Sequence, residues 1–171
     1  MDATAEQEFH EYVLSRRRVL LHEAFLLVGE VHAAEDLVQT ALAKVYVSWR
    51  RVIASDSPDA YVRRILINTN VSRLRRRRVG EVLTGLPPES VDRSPDHAER
   101  LDLVRALIAL PKRQRAAVVL RYWADLPEAE VAQIMGCSVG NVRSQAFRGL
   151  EKLRAQPALR LLTPSRSANH E

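Results

Sequence analysis

Four side chains between positions 141 and 148 combine a chemistry and a spacing suited to reading DNA. Asn141, Ser144, Gln145 and Arg148 recur at i, i+3/i+4 and i+7, so a helix presents them along one side. Asn and Gln can bond adenine bidentately, and Arg can bond the O6 and N7 of guanine. Arg143 and Lys152 flank this face and suit phosphate contacts. The bland alternative is a solvated hairpin in a helical bundle. The neighbouring residues argue against it. Gly136 stands where a tight turn needs a positive φ, and Ser138 suits the N-cap of the next helix. Val131, Ala132 and Met135 can pack on Val142, Ala146 and Leu150. Two short helices over 127–135 and 139–154, joined by that turn, make a helix-turn-helix. In this motif the second helix enters the major groove.

A second cationic group lies in the first half of the chain. Arg63, Arg64, Arg73, Arg75, Arg76, Arg77 and Arg78 share a stretch with no acidic residue between Tyr61 and Gly80. Cations without counter-charges make a phosphate footprint. The competing reading is that Arg at a helix C-terminus serves the macrodipole. Trp49, Tyr46 and Tyr61 are read as core and not as base-stacking platforms. The five histidines are scattered, and none pairs with Cys137 or another His at metal-ligand spacing. The sequence has no Gly-rich phosphate loop, paired-carboxylate signature or nucleophile elbow. The expectation is no catalytic residue, no metal and no cofactor. A nucleic-acid-modifying enzyme is the second class considered, and the missing carboxylate or metal constellation argues against it.

The elements that must hold these groups are helical. The chain has 171 residues, 46% hydrophobic and only 5% aromatic, a balance that suits helix packing. Its net charge of +5 favours a polyanionic partner. One cysteine allows no disulfide within the chain, which fits a reducing cytoplasm. No apolar run approaches the roughly 18 residues of a membrane span, and the acidic N-terminus does not resemble a signal peptide. A cytoplasmic protein without membrane insertion is expected.

The first helix is expected to open at Thr4, with Gln7 completing a capping box, and to stop at Gly29. A second runs over 33–52, with Leu37, Val38, Ala41 and Val45 on its apolar side and Glu35, Asp36, Gln39 and Thr40 on its polar side. Ser57 and Pro58 start a third. Clustered Gly, Pro and acidic residues then suggest a flexible linker. The expected fold is all-α: two small helical domains joined by a flexible linker, the second with the helix-turn-helix. The expected boundaries are 1–79, linker 80–95, 96–155, and a disordered tail over 156–171.

Three blocks resemble one family. Ala34-Glu35-Asp36-Leu37-Val38-Gln39-Thr40-Ala41 is similar to the core-polymerase-binding region 2.2 of extracytoplasmic-function (group 4) sigma factors of the sigma-70 family. Residues 58–78, including Asn68, resemble region 2.4. Leu110-Pro111-Lys112-Arg113-Gln114-Arg115, running on to Leu153-Arg154, resembles region 4. Residues 33–44 and Gln145 resemble the actinobacterial type of this family.

The resemblance implies an RNA polymerase sigma factor that directs core polymerase to promoters by −10 melting and −35 recognition. It implies the β′ and β subunits of core polymerase and promoter DNA as partners, and leaves room for an anti-sigma factor. By resemblance, Glu35, Asp36, Gln39 and Thr40 face polymerase. The loop holding Ser55 and Asp56 captures a flipped −10 base, and Arg63, Arg64, Asn68, Arg75 and Arg76 lie on −10 DNA. Asn141, Arg143, Ser144, Gln145, Arg148 and Lys152 lie on the −35 element. Asn141 stands where the family more often has Thr, and Ser72 where it has Asp. The alternative is a free-standing helix-turn-helix transcriptional regulator with an N-terminal dimerisation bundle.

Overall fold

The structure is a computed structural model that describes residues 3–80 and 95–156, with side chains over 3–72 and 101–156. The described residues contain helices and no strand. They are α1 (Ala3–Val28), α2 (Val31–Val47), α3 (Trp49–Ile53), α4 (Pro58–Gly80), α5 (Pro95–Ala109), α6 (Lys112–Val118), α7 (Glu128–Met135) and α8 (Val139–Arg154). Between α6 and α7 the helix widens into a π turn over Val119–Trp123. The expected tail lies outside the described residues beyond Gln156, and so does the expected linker apart from its end residues Gly80 and Pro95.

Two expected boundaries move. Thr4 lies inside α1 and not at its cap, and the Gln7 amide donates forward to Glu11 Oε1 at 2.8 Å. The helix expected over 33–52 begins earlier and is divided. Glu30 caps α2, its carboxylate accepting from the His32 and Ala33 amides at 2.8 and 2.6 Å. At the other end, the Ser48 hydroxyl donates to the Lys44 carbonyl at 2.9 Å and the chain turns into α3. Local hydroxyl-to-carbonyl bonding of this kind competes with a regular helix.

The first half is built around α2. Leu37, Val38, Ala41 and Val45 are buried against Leu20 and Ala24 of α1 and Val62 and Leu66 of α4. Trp49 closes one end, with its ring 5.4 Å from Phe9 and 5.3 Å from Tyr12. The apolar faces read from the sequence are therefore the packed ones, although Tyr46 stays partly exposed and meets Phe9 edge-on.

A second buried cluster holds the last four helices together and extends into the first half. Leu26 and Leu27 of α1 and Ala60 and Ile67 of α4 share it with Leu107, Leu120, Val131, Ile134 and Val142. The two halves are thus docked. Gly29, at φ +79°, lets the α1–α2 turn lie against Ile108, whose Cγ1 sits 2.6 Å from where a Cβ would stand. The buried Arg115 guanidinium donates to the Leu27 carbonyl at the end of α1 at 2.5 Å, and to the Ile108 and Leu110 carbonyls at 2.6 and 3.1 Å.

Candidate nucleic-acid and polymerase interfaces

The helix-turn-helix forms as its sequence dictates. Gly136 ends α7 in the left-handed region, at φ 61° and ψ 45°. Ser138 caps α8, its hydroxyl accepting from the Asn141 amide at 3.2 Å. Val142, Ala146, Gly149 and Leu153 bury one side of α8. Asn141, Ser144, Arg148 and Lys152 are exposed on the remaining surface. Two expected readers stand differently. Gln145 is half-buried toward the packed side. Arg143 is exposed, but its Nε donates to Glu128 Oε2 of α7 at 2.6 Å. Sequence reasoning passed over Phe147, which is 59% exposed on the same helix.

In α4, Arg64, Asn68 and Val71 form an exposed stripe at i, i+4 and i+7. Arg63 sits on a different side. Its guanidinium donates to both Glu23 oxygens, with Nε at 3.0 Å from each and Nη2 at 2.8 Å from Oε1. Burial opposes its charge, but the hydrogen bonds and charge of Glu23 outweigh burial and raise its pKa. Arg63 is thus placed to join α1 to α4. Asp59, in the first turn of α4, accepts from the Tyr12 hydroxyl at 3.0 Å and pairs with Arg16 at 2.8 Å. Burial, then the Asp59 charge, pushes the Tyr12 phenol well above its usual range.

Of the loop residues, Asp56 is exposed, while the Ser55 hydroxyl is turned back onto the Val52 carbonyl at 2.6 Å. The side chains of Arg75 and Arg76 lie outside the described residues. On α2, Asp36, Gln39 and Thr40 are exposed on one side, and Glu35 is partly so. Their stripe continues through Ala43 to Val47, which is 87% exposed. An i, i+4 reading from Gln39 through Ala43 would have found Val47.

Two family models match the chain. Sigma-70 region 2 covers residues 12–79, the segment holding α2 and α4, and sigma-70 region 4 covers residues 100–153, the segment holding α8. An RNA polymerase sigma-E factor of Streptomyces coelicolor is 41% identical over 151 residues, spanning 87% of this chain and 85% of that one.

The chain belongs to the sigma-70 family of RNA polymerase sigma factors.

The extracytoplasmic-function sigma factor SigE of Mycolicibacterium smegmatis is 33% identical, over 90% of this chain and 64% of that one. Among solved structures, the sigma factor RpoE of Bartonella quintana, determined with the anti-sigma factor NepR, aligns at a TM-score of 0.76. It shares 27% identity, over 94% of this chain and 99% of that one. The blocks that resembled region 2 in the sequence lie within the first match, and the block that resembled region 4 coincides with the second. Among the described residues, no group of three His, Cys, Asp or Glu is placed to hold a metal ion, and no helix is long and apolar enough to cross a membrane.

Proposed function

We propose that this sigma factor assembles with core RNA polymerase through the exposed side of α2 and places α4 on the −10 element and α8 on the −35 element. The observation that carries this reading is the separation of surfaces. Three polar helix faces are left exposed by a well-buried core, and they occur in the order of the matched regions. Glu35, Asp36, Gln39 and Thr40 contact β′. Arg64 and Asn68 contact −10 DNA, with Asp56 at the loop for an unstacked base. Ser144 and Arg148 read −35 base edges, with Asn141 beside them and Arg143 and Lys152 holding phosphates.

The protein acts by binding, in the cytoplasm, and catalysis stays with polymerase. A partner that blocks these faces, as an anti-sigma factor would, is compatible with the same surfaces. The docked halves separate to span a promoter.

Run-off transcription with purified core polymerase and a promoter library tests the reading. Transcripts that depend on the chain and start at a common motif pair support it. Operator binding without polymerase, and no dependent transcripts, would favour a free-standing regulator instead. Nicking of DNA with magnesium and no polymerase would oppose a purely binding role.

A further inference from the structure

A groove of about 330 Å³ opens on the seam between the two halves. Ligand pockets recur where domains meet, with apolar walls and a few polar groups. From the first half, α1 supplies Arg18, Val19 and His22 to the lining, and α4 supplies Arg63. From the other half come Trp123 and Ala124. A molecule that fills the groove touches both halves at once.

The backbone sets Trp123 at this seam. Trp123 ends the π turn, a form of helix that recurs at functional sites. Two residues on, Asp125 stands in the left-handed region at φ 51°, a conformation kept at ligand clamps more often than elsewhere. The core does not account for this placement. Trp49 is 3% exposed, whereas Trp123 is 50% exposed, stacked on His22 with the rings 6° from parallel.

The lining carries one cation more than it balances. Arg63 meets the Glu23 carboxylate through Nε and Nη2, so these two neutralise each other. Asp59 and Glu130 add to the field at Arg63 from further off, but neither lines the groove. Arg18 is exposed and pairs with no carboxylate among the described residues. An open indole offers a ring partner to a flat apolar body. A guanidinium beside it can hold a carboxylate through two parallel hydrogen bonds.

We propose that this groove is a binding site for a small aromatic carboxylate, and that the ligand holds the two halves docked. A ligand that prefers one arrangement shifts the population toward it by the difference in its affinities. The halves must separate to span a promoter, so the bound ligand keeps the free chain from initiating. The site itself stands apart from the proposed function, whereas the control rests on it.

The test uses the full chain labelled with nitrogen-15, with 1-naphthoate as the probe. The two tryptophans give two indole N–H signals, one from buried Trp49 and one from the groove. 1-Naphthoate should move the Trp123 signal saturably and leave that of Trp49 in place. Arg18→Gln should bind 1-naphthoate about tenfold more weakly, the worth of a hydrogen bond to a charged group. 1-Naphthalenemethanol, which keeps the rings and lacks the charge, should bind the parent about as weakly. Acetate should move neither signal. Val19→Glu places a carboxylate beside Arg18 and should abolish binding. Both positions are exposed, so the melting temperatures of the two variants should match the parent's. If the Trp123 signal does not move saturably, or if both variants bind as well as the parent, the site is overturned. Order of addition tests the control. 1-Naphthoate given to the free chain should slow promoter-dependent transcription when core polymerase follows. It should leave a complex already open on a promoter unaffected. Binding without any effect on transcription, or an equal effect in both orders, overturns the control and leaves the site. If 1-naphthoate binds but no transcription depends on the chain, the proposed function and the control fall together, while the site stands.

Discussion

Glu23 and Arg63 show how a side chain's partner decides its role. Arg63 belongs by sequence to an arginine-rich stretch, and charge alone groups it with the DNA-binding cations. Its guanidinium instead lies 14% exposed on a carboxylate that is 3% exposed. The two residues are 40 positions apart, and no local pattern connects them. This is why the stretch was legible as cationic while the division of labour within it was not. Arg64 and Asn68, one and five positions further on, remain exposed. Breaking a buried pair strands the surviving charge. Glu23→Gln is therefore expected to lower stability by about 3 kcal/mol. Glu23→Leu combined with Arg63→Met should recover most of that loss, because neither charge is left behind. Urea unfolding of the three variants checks this. A small effect of Glu23→Gln, below about 1 kcal/mol, would return Arg63 to the set of free cations.

At the scale of the element, α2 and α8 were the most legible parts of the chain. Each buries one side at helical spacing, so the opposite side follows from periodicity. The turn between α7 and α8 was equally legible, because Gly136 and Ser138 are the residue types that a left-handed C-cap and an N-cap require. Element ends dominated by a single side chain were less so. Glu30 is not among the commonest N-caps, yet it caps α2, and Thr4 looked like a cap but lies within α1.

The exposed side of α2 gives a clear expectation. Gln39→Ala with Thr40→Ala should weaken binding to core polymerase in a fluorescence titration. Stability should stay within about 0.5 kcal/mol, as is usual for surface sites. Equal polymerase affinity would remove α2 from the interface. The contact between α6 and α8 gives another. Gly149 lets the two helices close on each other, with Val118 Cγ2 2.7 Å and the Gln114 carbonyl 3.3 Å from the place of a Cβ. Gly149→Ala gains helix propensity of about 1 kcal/mol but overpacks by about 1–3 kcal/mol. A net loss of about 1 kcal/mol is expected by thermal or urea unfolding. Stabilisation instead would mean that α6 and α8 can part without penalty.

For the whole molecule, the docked halves set a limit on reach. The centres of the −10 and −35 elements are about 25 base pairs apart, roughly 85 Å of duplex. A compact chain of this length has a diameter of about 40 Å. The docked arrangement therefore cannot place α4 and α8 on both elements of straight duplex at once. Separation must break what holds the halves together: the shared buried cluster, the stack of His22 on Trp123 at 4.8 Å, and the Arg115 bonds to carbonyls of both halves. None of these was legible in the sequence, because each joins residues that the linker separates and no spacing rule relates them.

Burial alone lowers the pKa of Arg115, and its Nε finds no partner among the described residues. Its value therefore lies in the three carbonyls it satisfies, one of which belongs to α1. Arg115→Gln should loosen the docking. Energy transfer between dyes can follow this in a Cys137→Ser background, with cysteines introduced at exposed Leu14 of α1 and Ala155 after α8. Transfer should be high in the free chain and should fall when core polymerase and promoter DNA are added. Arg115→Gln should already lower transfer without polymerase. If the free chain shows low transfer with either residue at position 115, the halves are not docked in solution, and reach places no demand on polymerase to separate them.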